Sequence, residues 1–152
     1  MESQIETILR NLIRKTPHIK AAAVINVEGI SLASALEQGT NEESFGAMAA
    51  ALLGLGENVL EEIKGGTLRE IYIKGEDKMV VIAGAGQEGV LAVSVMSEAP
   101  LGLILVEVRK AAAEISKVIS AQVDVSEIFG TDLSLLEGFS FTDLIGEEGA
   151  EK

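Results

Sequence analysis

The chain has 152 residues and a mass of 16.0 kDa, so one domain with room for a short extension is expected. Cysteine is absent and His18 is the single histidine, which excludes disulfides, thiol nucleophiles, thiolate-held metals and multi-histidine sites. Twelve basic against 24 acidic residues give a net charge of −12, a balance that disfavours nucleic acid and anionic membranes as partners. The longest uncharged run, Ser44–Gly56, is 13 residues, whereas a membrane-spanning helix needs about 20. Met1 is followed by polar and acidic residues, unlike a signal peptide, so a cytoplasmic chain without membrane insertion is expected.

Residues 3–15 read as an amphipathic helix. Ser3 and Glu6 have capping-box spacing, and Ile5, Ile8, Leu9, Leu12 and Ile13 share one face. Thr16-Pro17 ends it, because a residue before proline avoids helical ψ. A hairpin follows, Ala21–Val27 and Ile30–Leu36 around a Glu28-Gly29 turn. Thr40 and Glu43 make a second capping box, which opens a helix over about 41–64 that stops at Gly65-Gly66. Three strands come next, Leu68–Lys74, Met79–Ala83 and Val90–Met96, with connections too short for a crossover helix. A final helix covers about 100–121, with Pro100 in its first turn. The order α-β-β-α-β-β-β-α predicts an α+β fold around a five-stranded antiparallel sheet.

Residues 122–152 differ in composition. They hold eight acids, one base and three of the four phenylalanines, so a boundary is expected between a domain over 1–121 and an acidic-hydrophobic extension over 122–152. Leu133, Leu135, Leu136, Phe139, Phe141, Leu144 and Ile145 are too apolar for a solvated linker, and Gly130, Gly138 and Gly146 are expected to break any long helix. This segment is expected to dock on its own dimer or on a partner.

No catalytic, metal or cofactor site is expected. Gly84-Ala85-Gly86-Gln87-Glu88-Gly89 matches the dinucleotide pattern G-x-G-x-x-G, but that site requires a helix after the loop, and Val90–Val95 reads as a strand. His18 follows Pro17 in a connection, with no acid nearby in sequence to orient it. Glu42/Glu43 and Glu61/Glu62 are adjacent on a helix, so neither pair shares a face.

The second helix is the informative element. Phe45, Met48, Leu52, Leu55, Val59 and Ile63 form a stripe suited to covering a sheet. Its other side carries Ala47, Ala50, Ala51, Leu53 and Gly54, and no charge occurs between Glu43 and Glu57. A helix apolar all round needs cover on both sides, which points to an interface.

With Ile8–Leu12 and Pro17, Ala21–Ile25 leading to Glu28-Gly29-Ile30, the alanine-rich Ala47–Leu53, and Ala99-Pro100-Leu101-Gly102, the chain resembles the Roadblock family over about residues 4–121. This family includes the dynein light chain Roadblock type and small prokaryotic regulators of Ras-like GTPases. The resemblance implies a profilin-like fold, a homodimer joined sheet edge to sheet edge, and a non-catalytic platform that binds a small Ras-like GTPase. The expected dimer interface is Ala50, Leu53, Gly54 and Glu57 on the helix, with Leu68, Glu70 and Tyr72 on a sheet edge. The expected partner surface is Ala47, Ala51, Gly54 and Asn58. The competing reading is a sensor module with a small ligand held against the sheet. An enzyme using the glycine-rich loop is a third, and the chain lacks the titratable cluster it would need.

Overall fold

The apolar spacing of the first segment is reflected in its burial. The computed structural model describes the backbone of residues 2–138 and the side chains of residues 4–121. Helix α1 spans Glu2–Lys15 and buries Ile5, Leu9 and Leu12. Because the helix begins at Glu2, Ser3 lies inside the first turn and is not its cap.

Strands β1 (Ile19–Asn26) and β2 (Ser31–Ala35) form the expected hairpin; β1 starts two residues earlier than expected and β2 ends one earlier, and each is one residue shorter at the turn. The reason is Asn26, whose Oδ1 accepts the amides of Glu28 and Ile30 at 2.9 and 3.0 Å and so folds a local turn. Gly29 supplies the positive φ that the turn requires, +92°.

Helix α2 covers Glu42–Glu62. Its cap is Asn41, not Thr40: Asn41 Oδ1 accepts the Ser44 amide at 2.9 Å. The cap thus lies one residue after the expected Thr40, since Asn caps at least as well as Thr. Asn41→Ala is expected to cost about 1 kcal/mol of stability, read as a lower thermal midpoint. At the other end Lys64 takes a left-handed conformation, φ 56°, ahead of Gly66 at 88°.

Strands β3 (Glu70–Lys74), β4 (Lys78–Ala85) and β5 (Gly89–Met96) complete an all-antiparallel sheet in the order β2-β1-β5-β4-β3. Central β5 is buried on both faces over most of its length, which is why Val90–Val95 reads as an almost continuous apolar run. Helix α3 spans Leu101–Gly138. Pro100 stands just before it and accepts the Ile104 amide at 3.1 Å. The helix passes 121 and runs through Gly130, contrary to the expected break. A glycine costs a helix only about 1 kcal/mol, which its neighbours can outweigh.

The chain divides into two compact units, Met1–Ile119 and Ser120–Lys152. In the second unit the backbone is described as far as Gly138 and the side chains only of Ser120 and Ala121, so Phe139, Phe141, Leu144, Ile145 and Gly146 lie outside the described residues, as do the side chains of Leu133, Leu135 and Leu136. In the first unit the sheet separates two cores. Ile5 and Leu9 of α1 and Ile104, Val108 and Ile115 of α3 pack with Val24, Val81, Leu91 and Val93 on one face. Ala49 and Leu53 of α2 pack with Ala23, Ile25, Ile82, Val90 and Ala92 on the other.

Candidate partner-binding surface

Helix α2 seats Gly46, Ala49 and Leu53 against the sheet and leaves several large apolar residues outward. Its buried residues are Gly46, Ala49 and Leu53. A methyl group at Gly46 would lie 3.0 Å from the Gly29 carbonyl oxygen, and one at Gly56 would lie 2.9 Å from Ile71 Cδ1. Both glycines therefore let the helix settle close to the sheet and hairpin. This close seating corrects the expected stripe. Phe45 and Leu52 are half-buried against the core, but Met48, Leu55, Val59 and Ile63 are 58%, 60%, 60% and 67% exposed.

The structure sorts the other expected residues. Ala47, Ala51 and Asn58 are exposed on α2, and Gly54 is half-buried, with no atom beyond its chain neighbours and the adjoining helix backbone within 4 Å of a methyl group placed on it. Glu57 is exposed and Ala50 half-buried. Leu53 is a correction, because it lies in the core beneath the helix and is 8% exposed. Leu68 is another. It precedes β3 and packs against the α2-side core, so it does not alternate in line with Glu70.

Helix α2 carries Glu42, Glu43, Glu57, Glu61 and Glu62 and no basic residue. The Ser31 and Ser34 hydroxyls donate to Glu42 and hold its carboxyl below the usual range. Glu61 and Glu62 stand at the helix end where the macrodipole disfavours them. The outward face is therefore an apolar ridge with an acidic rim. Val27 and Ile30 at the hairpin tip are 49% and 59% exposed, and the tip touches α2 where Gly29 meets Ala47.

At the β3 edge, Arg109 of α3 grips Glu70 with two bonds, Nε to Oε2 at 2.7 Å and Nη2 to Oε1 at 3.0 Å. The Tyr72 hydroxyl donates to the same Oε1 at 3.2 Å, and the Glu70 side chain is only 6% exposed. The Arg109 bond holds the Glu70 carboxyl below its ordinary range, and burial, with the Glu70 charge, pushes Tyr72 up. A depressed carboxyl contributes stability above its unfolded value that is lost as pH falls through the folded one. The stability difference between wild type and Glu70→Gln is therefore expected to shrink below about pH 4.3, measured by urea titration across that range.

A hollow of about 750 Å³ lies between α2, β4 and α3, lined by Gly54, Glu57, Glu70, Gly84, Arg109 and Ser116 among others. The glycine motif forms part of its wall. Gly84 lies in β4, Gly86 turns with φ +81°, and Gly89 opens β5 opposite Ala85. A methyl group at Gly89 would lie 2.6 Å from Ile119 Cδ1 and 2.8 Å from the Ala85 carbonyl oxygen, so close packing within the hairpin and against α3 accounts for this glycine. The His18 carbonyl accepts the Met96 amide at 2.9 Å. Among the described residues, no group of three or more His, Asp or Glu is placed to hold a metal, and no helix is long and apolar enough to cross a membrane.

The Roadblock/LC7 domain model matches residues 5–94. The chain belongs to the Roadblock/LC7 domain family. Two uncharacterized proteins of Methanocaldococcus jannaschii, MJ1340 and MJ0310, are each 37% identical to this Roadblock chain over 111 residues, 73% of it and 96% of the relative. Among solved structures, Myxococcus xanthus MglB superposes with a TM-score of 0.73 at 18% identity, covering 79% of this chain and 90% of that one. A Roadblock/LC7 domain from Streptomyces avermitilis gives 0.71 at 18% identity over 76% and 97% of the two chains. Profilin IA of Acanthamoeba castellanii gives 0.56 at 16% identity over 74% and 96%, so the Roadblock fold here is profilin-like.

Proposed function

We propose that this Roadblock domain is a non-catalytic homodimer that binds and regulates a small Ras-like GTPase on the outward face of α2. Family membership supports the class of partner. The observation that carries the location is the apolar ridge of Met48, Leu55, Val59 and Ile63, each more than half exposed on a helix without a basic residue. An apolar centre with a charged rim is the usual build of a specific protein interface. A domain without a catalytic group changes hydrolysis by repositioning the GTPase's own residues and water. The test is binding of a small Ras-like GTPase from the same genome, loaded with GTP or GDP, to the full chain by calorimetry. Failure to bind in both states would overturn the reading and turn attention to the hollow beside Arg109 as a small-ligand site.

A further inference from the structure

We propose that the hollow between α2, β4 and α3 binds a small zwitterion, a short peptide with free ammonium and carboxylate ends. This site is separate from the GTPase reading, because Met48, Leu55, Val59 and Ile63 of the ridge take no part in its lining. The first observation is a gap at the sheet edge. Strand β3 reaches only to Glu70, opposite Ala83, whereas β4 continues to Ala85. No strand lies beside Gly84 and Ala85 on that side, so the hollow opens between the two helices where the edge strand has given out. Its volume, about 750 Å³, falls in the range of sites that enclose a molecule larger than an ion or a water.

The second observation is a pair of glycines that the chain's own packing does not explain. Gly46 and Gly56 let α2 settle against its neighbours, but a methyl group on Gly54 would meet nothing beyond the adjoining helix backbone within 4 Å. Inside a helix that glycine costs about 1 kcal/mol against alanine. Gly84 lies within β4, on the face it shares with Ile82 of the α2-side core. The nearest atom to a methyl group there is the Gly86 carbonyl oxygen, 3.9 Å away. A glycine inside a strand marks a close approach, and here no part of this chain makes it. Both glycines line the hollow, from two different elements.

Charge supplies the ligand class. The chain has twice as many acids as bases, yet the hollow holds two of each, Glu57 and Glu70 with Arg69 and Arg109. Arg109 and Glu70 satisfy one another through their two bonds. Glu57 and Arg69 form no hydrogen bond or ion pair with another described residue. A net anion would meet Glu57, and a net cation would meet Arg69, whereas a molecule charged oppositely at its two ends matches both. The planar Arg69 fork takes the carboxylate and Glu57 takes the ammonium. The amide backbone between them passes Gly54 and Gly84, with Val27, Leu53 and Leu68 as an apolar wall for a side chain.

Titration of the full chain with the tripeptide Ala-Leu-Ala, both ends free, tests the site by amide NMR and calorimetry. Saturable shifts are expected at the Gly54 and Gly84 amides, and blocking both ends by acetylation and amidation is expected to weaken binding at least tenfold. Arg69→Gln is expected to weaken the free tripeptide at least tenfold and the C-amidated form less than twofold. Glu57→Gln is expected to discriminate in the same way between the free and the N-acetylated forms. Gly84→Val is expected to abolish binding at an unchanged thermal midpoint, since the space at Gly84 is open. Free leucine separates the two sources of this chemistry: weaker binding than the tripeptide supports a peptide, and equal or tighter binding overturns it in favour of an amino acid. The absence of saturable shifts at Gly54 and Gly84 with either probe up to about 10 mM overturns the site. A blocked tripeptide that binds as tightly as the free one overturns the zwitterion.

Discussion

Leu55→Arg is expected to abolish measurable binding of a Ras-like GTPase while leaving the fold intact. Leu55 is 60% exposed and takes no part in either core, so its replacement should change stability by no more than about 0.5 kcal/mol. At the centre of a desolvated interface, an unpaired charge costs roughly 2–5 kcal/mol of binding. At about 1.4 kcal/mol per tenfold, that is a loss of roughly 30-fold to several thousand-fold in affinity. Gly54→Arg is the matched experiment on the small-residue flank of Ala47, Ala51, Gly54 and Asn58. If calorimetry shows Gly54→Arg to be the damaging variant and Leu55→Arg the silent one, the partner sits on that flank and not on the ridge. Circular dichroism melts of both variants separate lost binding from lost structure.

Gly29→Val should be the most destabilising of the single changes considered. The residue has φ +92°, and a methyl group there would stand 3.1 Å from Ala47 Cα, a backbone atom that cannot rotate away. Left-handed backbone under a β-branched side chain, added to the displacement of the hairpin from α2, should cost about 3 kcal/mol. For a unit of this size the thermal midpoint should fall by roughly 10 °C. Gly39→Ala supplies the comparison, because Gly39 has φ +93° but nothing within 4 Å of an added methyl. Its expected cost is about 1 kcal/mol, the conformational part alone. Equal losses for the two variants would show that the contact between hairpin and helix adds nothing.

Much of this architecture was legible because periodicity and punctuation agreed. Ile5, Leu9 and Leu12 declared the α1 face, Gly29 declared its turn, and the short connections after Lys74 and Ala85 required antiparallel neighbours. The errors share a physical origin. Reading α2 by hydrophobicity placed its bulkiest residues inward, whereas close approach to a sheet favours the smallest ones, and the signal was Gly46 and Gly56. Leu53 is the reverse case, a large residue read onto the outer side that belongs to the core. The Asn26 turn and the Asn41 cap are not legible in the sequence because each competes locally with neighbours of similar propensity, and only the geometry decides which side chain takes the amides. The Arg109–Glu70 pair joins positions far apart in sequence, so no spacing rule points to it.

The strand order carries a consequence for how the molecule comes into being. Each hairpin, β1–β2 and β3–β4, can close from adjacent sequence, yet neither has a covered inner edge until β5 arrives between them. During synthesis the chain emerging from the ribosome therefore holds two incomplete ribbons until Met96 is out. The β1–β5 seam, running from Ile19↔Val95 to Asn26↔Gly89, joins segments far apart in the chain and so carries the largest loop-closure entropy of the sheet's strand pairings. A nascent chain halted before Gly89 displays unsatisfied strands ready to pair with neighbours on the same messenger, and release of the last strand removes that hazard.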